Sequence, residues 1–316
     1  MTKRDEAGTL RPSAAEWVGR QLGAGERIVG VEVLHGGITA EMRRLVVATP
    51  DGGTRDLVLR TFVDPHHVRH AEELLTREAG VLALLAGTGV TAPGPVAVDA
   101  KAMHCEYPSL LMTHLPGRTV LDDEGLAERV PLLARQLVAI HALRPAVRPQ
   151  EYEAWTTAER VVPPTGADAA AWSAAVDVIR KPAPAYEGRF LHRDFQPGNV
   201  LFDVSGRPRI TGVVDWVQTS WGPADIDVAH CSTNLALLHG PAWGTRFAEA
   251  YEEAGGVLAP AARERLYWRL LDALGFAAEA DLVARPWRAA GRAELTTPVV
   301  EGRLDGYVVA LLEVLG

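Results

Sequence analysis

The chain has 316 residues, 47% of them hydrophobic, and a formal charge of −8, which is enough apolar material for two lobes with separate cores and no basic surface to draw nucleic acid or an anionic membrane. Its two cysteines, Cys105 and Cys231, belong to no paired Cys or Cys/His spacing, which argues against a disulfide framework and a zinc site. No stretch approaches the uncharged apolar run of a membrane span, and MTKRDEAGTLRPS holds no signal-peptide core, so a cytoplasmic protein is expected.

SAAE at Ser13 to Glu16 has capping-box spacing and predicts a short helix with Trp17, Val18 and Leu22. Three runs follow, IVGVEVL, MRRLVVA and DLVLRTF, rich in β-branched residues and separated by Gly-Gly and Pro-Asp-Gly-Gly, the pattern of an antiparallel meander. Residues 68–86 carry one broad apolar face and predict a helix ended by GTGVTAPGP. Strands near Val96 and from Ser109 to Thr113 complete a five-stranded sheet with one helix against it. Leu115-Pro116-Gly117 breaks the pattern. Helical periods then dominate over 126–143, 169–179, 226–238, 243–253, 261–282 and 299–315, interrupted by strands around Val200 and Ile210. The expected class is α+β, with a strand-rich lobe over residues 1–114 and a mostly helical lobe over 115–316.

Phe190 to Phe202 reads FLHRDFQPGNVLF: the apolar ends re-enter a core and the polar middle is a loop on rigid structure. His192, Asp194 and Asn199 form H-x-D-x-x-x-x-N, and the run ITGVV delivers Asp215 sixteen residues after the asparagine. Phosphoryl transfer needs one carboxylate to orient the attacking hydroxyl and accept its proton, and oxygen ligands to hold magnesium on the phosphates. Asp194 fits the first role. Asn199 and Asp215 fit the second, since magnesium takes hard oxygen ligands and keeps several waters. Asp and Asn in a Pro-Gly loop are also ordinary turn formers, and Asp225 or Asp227 could cap the helix that follows; for Asp225 the cap is the simpler reading.

HRDFQPGN resembles the catalytic loop of the aminoglycoside phosphotransferase and choline kinase family, relatives of protein kinases. DWVQTSWGPADIDVAH is similar to that family's metal-binding Asp and the segment after it, with Asp227-Val228-Ala229 in the matching place. The resemblance spans nearly the whole chain and is strongest from Leu191 to His230. It implies a bilobal, protein-kinase-like fold with a hinge near residues 112–117, ATP or GTP as phosphoryl donor in the cleft, and Mg2+. Asp227 then holds the catalytic loop through its backbone, and His192 is a scaffold residue of the same loop. In the small lobe the implied nucleotide-binding residues are Gly36 and Gly37 of HGGIT, Arg60 on the third strand and Glu78 on the following helix. Double glycine serves ordinary hairpin turns equally well. Arg60 departs from the lysine of many relatives and replaces a compact point charge by a planar fork. LLMTHLPG resembles the family's hinge, where Met112 lines the base pocket, Thr113 offers its carbonyl and Leu115 its amide. Trp216-Val217 follows Asp215 in place of Phe-Gly, and no Ala-Pro-Glu-like ending comes after it, which disfavours a protein kinase.

The reaction implied is transfer of the γ-phosphoryl of ATP or GTP to a hydroxyl of an antibiotic-like natural product of aminoglycoside or macrolide type. A metabolic kinase of a small alcohol such as choline, homoserine or a sugar is the second reading, and a nucleotide-binding pseudokinase the third. The chain ends Glu313-Val314-Leu315-Gly316, without the aromatic terminal residue that some aminoglycoside kinases use near the substrate. The expected partner is a small hydroxyl-bearing substrate, with neither nucleic acid nor membrane. HHVRH at 66–70 starts an exposed helix rather than a converging metal site. Trp216, Trp221, Trp243, Trp268 and Trp287 could stack on a ring substrate, although helical spacing favours core packing for most of them; Asp272, Glu279 and Asp281 could meet a cationic substrate or be solvated helix faces.

Overall fold

The computed structural model describes residues 8–34 and 39–315. The chain divides into two compact units, the first ending at Pro116 and the second beginning at Gly117.

In the first unit, α1 (Pro12–Gly19) precedes β1 (Arg27–Leu34), β2 (Glu41–Ala48) and β3 (Thr54–Thr61), followed by α2 (Pro65–Val68), α3 (Ala71–Leu85), β4 (Pro95–Asp99) and β5 (Ser109–Thr113). Helix α1 starts one residue before the SAAE box because Pro12 suits a first turn, where its missing N–H has no partner to lose. Ser13 therefore does not cap; its hydroxyl accepts the Glu106 N–H at 3.0 Å. The sheet order is β1-β2-β3-β5-β4, antiparallel at every step. Strand β3 is covered on both faces. Leu57 and Leu59 join Trp17, Val18, Leu45 and Leu111 in one buried cluster, and the alternate residue Arg60 reaches the α3 side.

The second unit holds α4 (Leu126–His141), α5 (Ala169–Ile179), the strands β6 (Gly188–Leu191), β7 (Val200–Asp203), β8 (Arg209–Val213) and β9 (Ser220–Pro223), then α6 (Ala224–His239), α7 (Pro241–Glu253), α8 (Ala262–Gly275), α9 (Ala280–Ala289) and α10 (Thr297–Leu315). Strands β6 and β9 form one two-stranded ribbon, β7 and β8 another. The unit opens on Gly117 at φ +101, where an added Cβ would meet the Thr211 hydroxyl and lie 2.8 Å from the Phe202 carbonyl oxygen. Arg118 and Phe202 exchange backbone hydrogen bonds of 3.0 and 2.8 Å beside it, so the Pro-Gly break lets the chain lie against the β7–β8 hairpin.

Helix α6 is buried from Ala224 to Leu238, with α7, α8 and α10 packed around it. A helix enclosed on all sides exposes no polar face, so Asp225, Asp227, His230, Thr233 and Asn234 must each find partners inside the protein. The helix expected over 261–282 is two helices, α8 and α9. Phe276, Ala277 and Ala280 stay buried across the break, so apolar periodicity runs through it and conceals the turn. Among the described residues no helix is long and apolar enough to cross a membrane.

Candidate active site

The loop from His192 to Asn199 is fed by β6 and drained by β7. Arg193 (φ 69) and Asp215 (φ 64) adopt left-handed backbone conformations that ordinary side chains resist, so the surrounding structure must impose them. Asp227 on α6 does so for the loop. Its Oδ2 accepts the His192 N–H and its Oδ1 the Arg193 N–H, each at 2.8 Å. His141 of α4 donates from Nε2 to Oδ2 at 3.2 Å and accepts the Tyr251 hydroxyl at Nδ1, 2.7 Å away. Burial by itself would raise the Asp227 pKa, but the hydrogen bond from His141, with the Arg193 charge nearby, holds it below the usual carboxylate range. Asp225, by contrast, ties α6 to the segment before α8: both its oxygens accept the Ala259 N–H at 3.1 Å, and burial raises its pKa.

His192 is fully buried. Nε2 donates to the Val214 carbonyl at 3.0 Å and Nδ1 accepts the Asp194 N–H at 3.2 Å, which assigns one neutral tautomer. Burial lowers its pKa, and its ring lies 4.4 Å from that of Trp216. Both nitrogens are bound to backbone, so the imidazole fixes the loop rather than moving a proton.

Asp194 is the loop's partly exposed carboxylate, 26% accessible. Oδ1 accepts from His230 Nε2 at 3.0 Å and Gln196 Nε2 at 3.2 Å; Oδ2 accepts from Asn199 Nδ2 at 2.9 Å. Burial works to raise its pKa, yet the His230 hydrogen bond and charge outweigh it and keep the group ionised. Asn199 Nδ2 also donates to the Asp194 carbonyl at 2.9 Å, which commits the amide nitrogen and leaves the amide oxygen as the donor atom for a cation. The Val214 N–H bonds the Asn199 carbonyl at 2.9 Å while its own carbonyl takes His192, so the residue before Asp215 is tied to the same loop. One amide oxygen and one carboxylate suit magnesium, which retains waters and phosphate oxygens in its shell. Among the described residues no three His, Cys, Asp or Glu side chains form a self-sufficient metal cluster.

In the first unit Arg60 Nη1 lies 2.9 Å from both Glu78 oxygens, with the two side chains 5% and 2% exposed and the guanidinium 5.5 Å from the Phe62 ring centre. Met112 is buried and pairs with Val58 and Pro95 across the sheet. Thr113 donates its N–H to the Gly94 carbonyl at 2.9 Å and accepts the Gly94 N–H at 2.7 Å; Leu115, half-buried, follows β5. Gly36 and Gly37 lie outside the described residues. His66 and His67 belong to α2, whose N-cap Asp64 accepts the His66 N–H at 2.8 Å.

Four residues escaped the sequence reading. His141, His230 and Trp155 drew no assignment, and Asp272, read among substrate contacts or solvated faces, is buried at 5% exposure and bonds His230 Nδ1 at 3.1 Å. A usable signal existed for His230, three residues beyond Asp227 on one helix. Trp155 is 45% exposed, stands edge-on to His230 at 5.1 Å and lies 4.1 Å from the Arg193 guanidinium; nothing in its local pattern marks it. Of the tryptophans considered as stacking rings, Trp216, Trp221, Trp268 and Trp287 are buried and Trp243 is half-buried. Asp281 is engaged by Arg285, Arg288 and Thr297 at 2.9, 2.9 and 2.7 Å.

Such an H-x-D-x-x-x-x-N loop on a helical unit, and an Arg–Glu pair beneath a five-stranded antiparallel sheet, are features of a kinase-like fold. The sequence model of the phosphotransferase enzyme family matches residues 31–269, and the chain belongs to that family. It is 28% identical over 180 residues to viomycin phosphotransferase of Streptomyces vinaceus, an alignment covering 51% of this chain and 63% of that protein, so the chain matches less than two thirds of its relative's length. Among solved structures, a thermostable mutant of aminoglycoside phosphotransferase APH(4)-Ia in ternary complex with AMP-PNP and hygromycin B superposes with TM-score 0.60 and 18% identity, over 95% of this chain and 99% of that one. Macrolide 2'-phosphotransferase MphH from Brachybacterium faecium superposes with TM-score 0.55 and 17% identity, over 93% and 98%. At these identities the structures establish the shared fold.

Proposed function

We propose that this protein transfers the γ-phosphoryl group of ATP or GTP, with magnesium, to a hydroxyl of an antibiotic-like small molecule, acting in the cytoplasm. The observation that carries this reading is Asp194: an ionised carboxylate fixed by His230, Gln196 and Asn199, on a loop clamped by Asp227. Asp194 orients the acceptor hydroxyl and takes its proton as the hydroxyl oxygen bonds the γ-phosphorus and the bridging P–O bond breaks, its electron pair leaving on the nucleoside diphosphate. Asn199 and Asp215 hold magnesium, which when bound neutralises charge on the phosphate oxygens. Arg60, oriented by Glu78, contributes a fork for the phosphates, and the segment from Met112 to Leu115 serves the base. Trp155 offers the acceptor a partly exposed ring against His230, the residue that bonds Asp194. The relatives act on, or are bound to, viomycin, macrolides and hygromycin B, which supports a polyfunctional natural product as acceptor.

The test is a mass-spectrometric screen of purified protein with Mg–ATP or Mg–GTP against pooled hydroxyl-bearing antibiotics, small alcohols and sugars, with Asp194→Asn in parallel. We expect one antibiotic class to gain a single phosphoryl group, and Asp194→Asn to lower kcat by about 10²- to 10⁴-fold. Phosphorylation of choline, homoserine or a sugar alone would replace the acceptor class. Nucleotide binding without any transfer would move the pseudokinase reading ahead.

A further inference from the structure

Asp272 on α8 lies one histidine away from the carboxylate assigned to the reaction, and both are joined to the same imidazole. His230 Nε2 is 3.0 Å from Asp194 Oδ1 and Nδ1 is 3.1 Å from Asp272 Oδ1. A neutral imidazole has one N–H; facing a carboxylate on each side, it would point a lone pair at an anionic oxygen. An imidazolium that donates from both nitrogens satisfies both carboxylates at once. The surroundings hold it there. His230 is 3% exposed and Asp272 5%, Phe276 and Trp155 flank the ring at 5.5 and 5.1 Å, and Thr233 donates to the far oxygen of Asp272 at 2.6 Å. Asn234 Nδ2 donates one N–H to the His230 carbonyl at 2.9 Å and also lies 3.2 Å from Nε2, beside the Asp194 contact.

The occupancy of Asp194 is asymmetric. Oδ1 receives two donors, His230 and Gln196, which fill its lone pairs; Oδ2 receives one, from Asn199, and retains acceptor capacity.

We propose that Asp272 and His230 are positioning residues for phosphoryl transfer: the imidazolium, held by Asp272, fixes Asp194 through Oδ1, so that the acceptor hydroxyl is taken at Oδ2. This rests on the phosphotransferase reading above. Asp272 touches no reactant and acts only through His230, so its contribution disappears when Asp194 can no longer act as the base. The buried pair is then more than packing: an apolar residue at 272 would leave an imidazole with one carboxylate, free to be neutral and to let the Asp194 side chain rotate.

Two measurements test this. In the first, histidine-selective ¹⁵N labelling is read by NMR at pH 8, with His230→Gln assigning the signal. We expect both ring nitrogens of His230 to be protonated in the unaltered protein, and one to be unprotonated in Asp272→Asn. A neutral His230 ring in the unaltered protein overturns the proposal, whatever the enzyme's activity. In the second, Mg–ATP hydrolysis with water as acceptor is followed by phosphate release, and Mg–AMP-PNP affinity by calorimetry, in a cycle of Asp272→Asn, Asp194→Asn and the double variant. We expect Asp272→Asn to lower kcat by about 10- to 100-fold, the range for losing a hydrogen bond to a charged group, with Mg–AMP-PNP affinity unchanged within about twofold, and to have no further effect in the Asp194→Asn background. Additive losses, or a loss of nucleotide affinity matching the loss of turnover, would assign Asp272 a merely structural role. If Asp272→Asn does not fold, His230→Gln replaces it in the same cycle. Absence of Mg–AMP-PNP binding by the unaltered protein would instead sink the phosphotransferase reading, and the NMR result would stand apart from it.

Discussion

Arg60 and Glu78 bury a full positive and a full negative charge at 5% and 2% exposure. Truncating one member strands the other in a poorly solvating interior, at about 3–5 kcal/mol, whereas replacing both by apolar residues of similar volume is close to neutral. In urea denaturation we expect Arg60→Met to lose that amount and Arg60→Met/Glu78→Leu to recover most of it. Both variants are expected to lose phosphoryl transfer; a stable double variant with full turnover would remove Arg60 from the phosphate site. His230 gives a pH signature. Burial alone would lower its pKa, but the Asp272 charge and the hydrogen bonds to Asp194 and Asp272 raise it to about 9, above the value of about 6.5 for an unfolded histidine. With the folded value raised, the stabilisation is complete below about pH 6.5 and disappears as pH climbs through about 9. Melting temperature should therefore fall across that window more steeply in the unaltered protein than in His230→Gln. Parallel curves would mean that the folded ring carries no extra proton.

Elements were legible where a local pattern sets them. β5 and α5 span Ser109–Thr113 and Ala169–Ile179, as a short apolar run and helical period indicate, because both patterns act within a few residues. Strand β9, Ser-Trp-Gly-Pro, carries no such pattern; it exists because β6 offers it a partner, Gly188 to Leu191 against Pro223 to Ser220. The break between α8 and α9 was illegible for the opposite reason, since apolar residues continue through it. Gly117 shows how a single break serves a neighbouring element. Alanine there meets a left-handed backbone and the Phe202 carbonyl, so Gly117→Ala is expected to cost roughly 2–4 kcal/mol in urea denaturation. An unchanged midpoint would mean that the β7–β8 hairpin moves aside at little cost.

For the whole molecule, ligand binding to the native state is the practical reporter of the assembled site. Magnesium and nucleotide together, at 100 times their dissociation constant, should add about 2.7 kcal/mol of stability, or a rise of roughly 4 °C in Tm for a protein of this size. EDTA should abolish most of the AMP-PNP shift, and Asn199→Ala should weaken it. A shift indifferent to EDTA would release Asn199 and Asp215 from the metal role. By itself the sequence determined the α+β class, most of the elements and the Asp194, Asn199 and Asp215 spacing, because these are written in contiguous residues and in the chemistry of hard oxygen donors. Only the tertiary structure decided which groups meet. His141 reaches Asp227 across 86 residues of chain and Tyr251 across 110, and Asp272 reaches His230 across 42. Those meetings depend on how α4, α7 and α8 enclose a helix with no solvent face, a relation that no local period encodes.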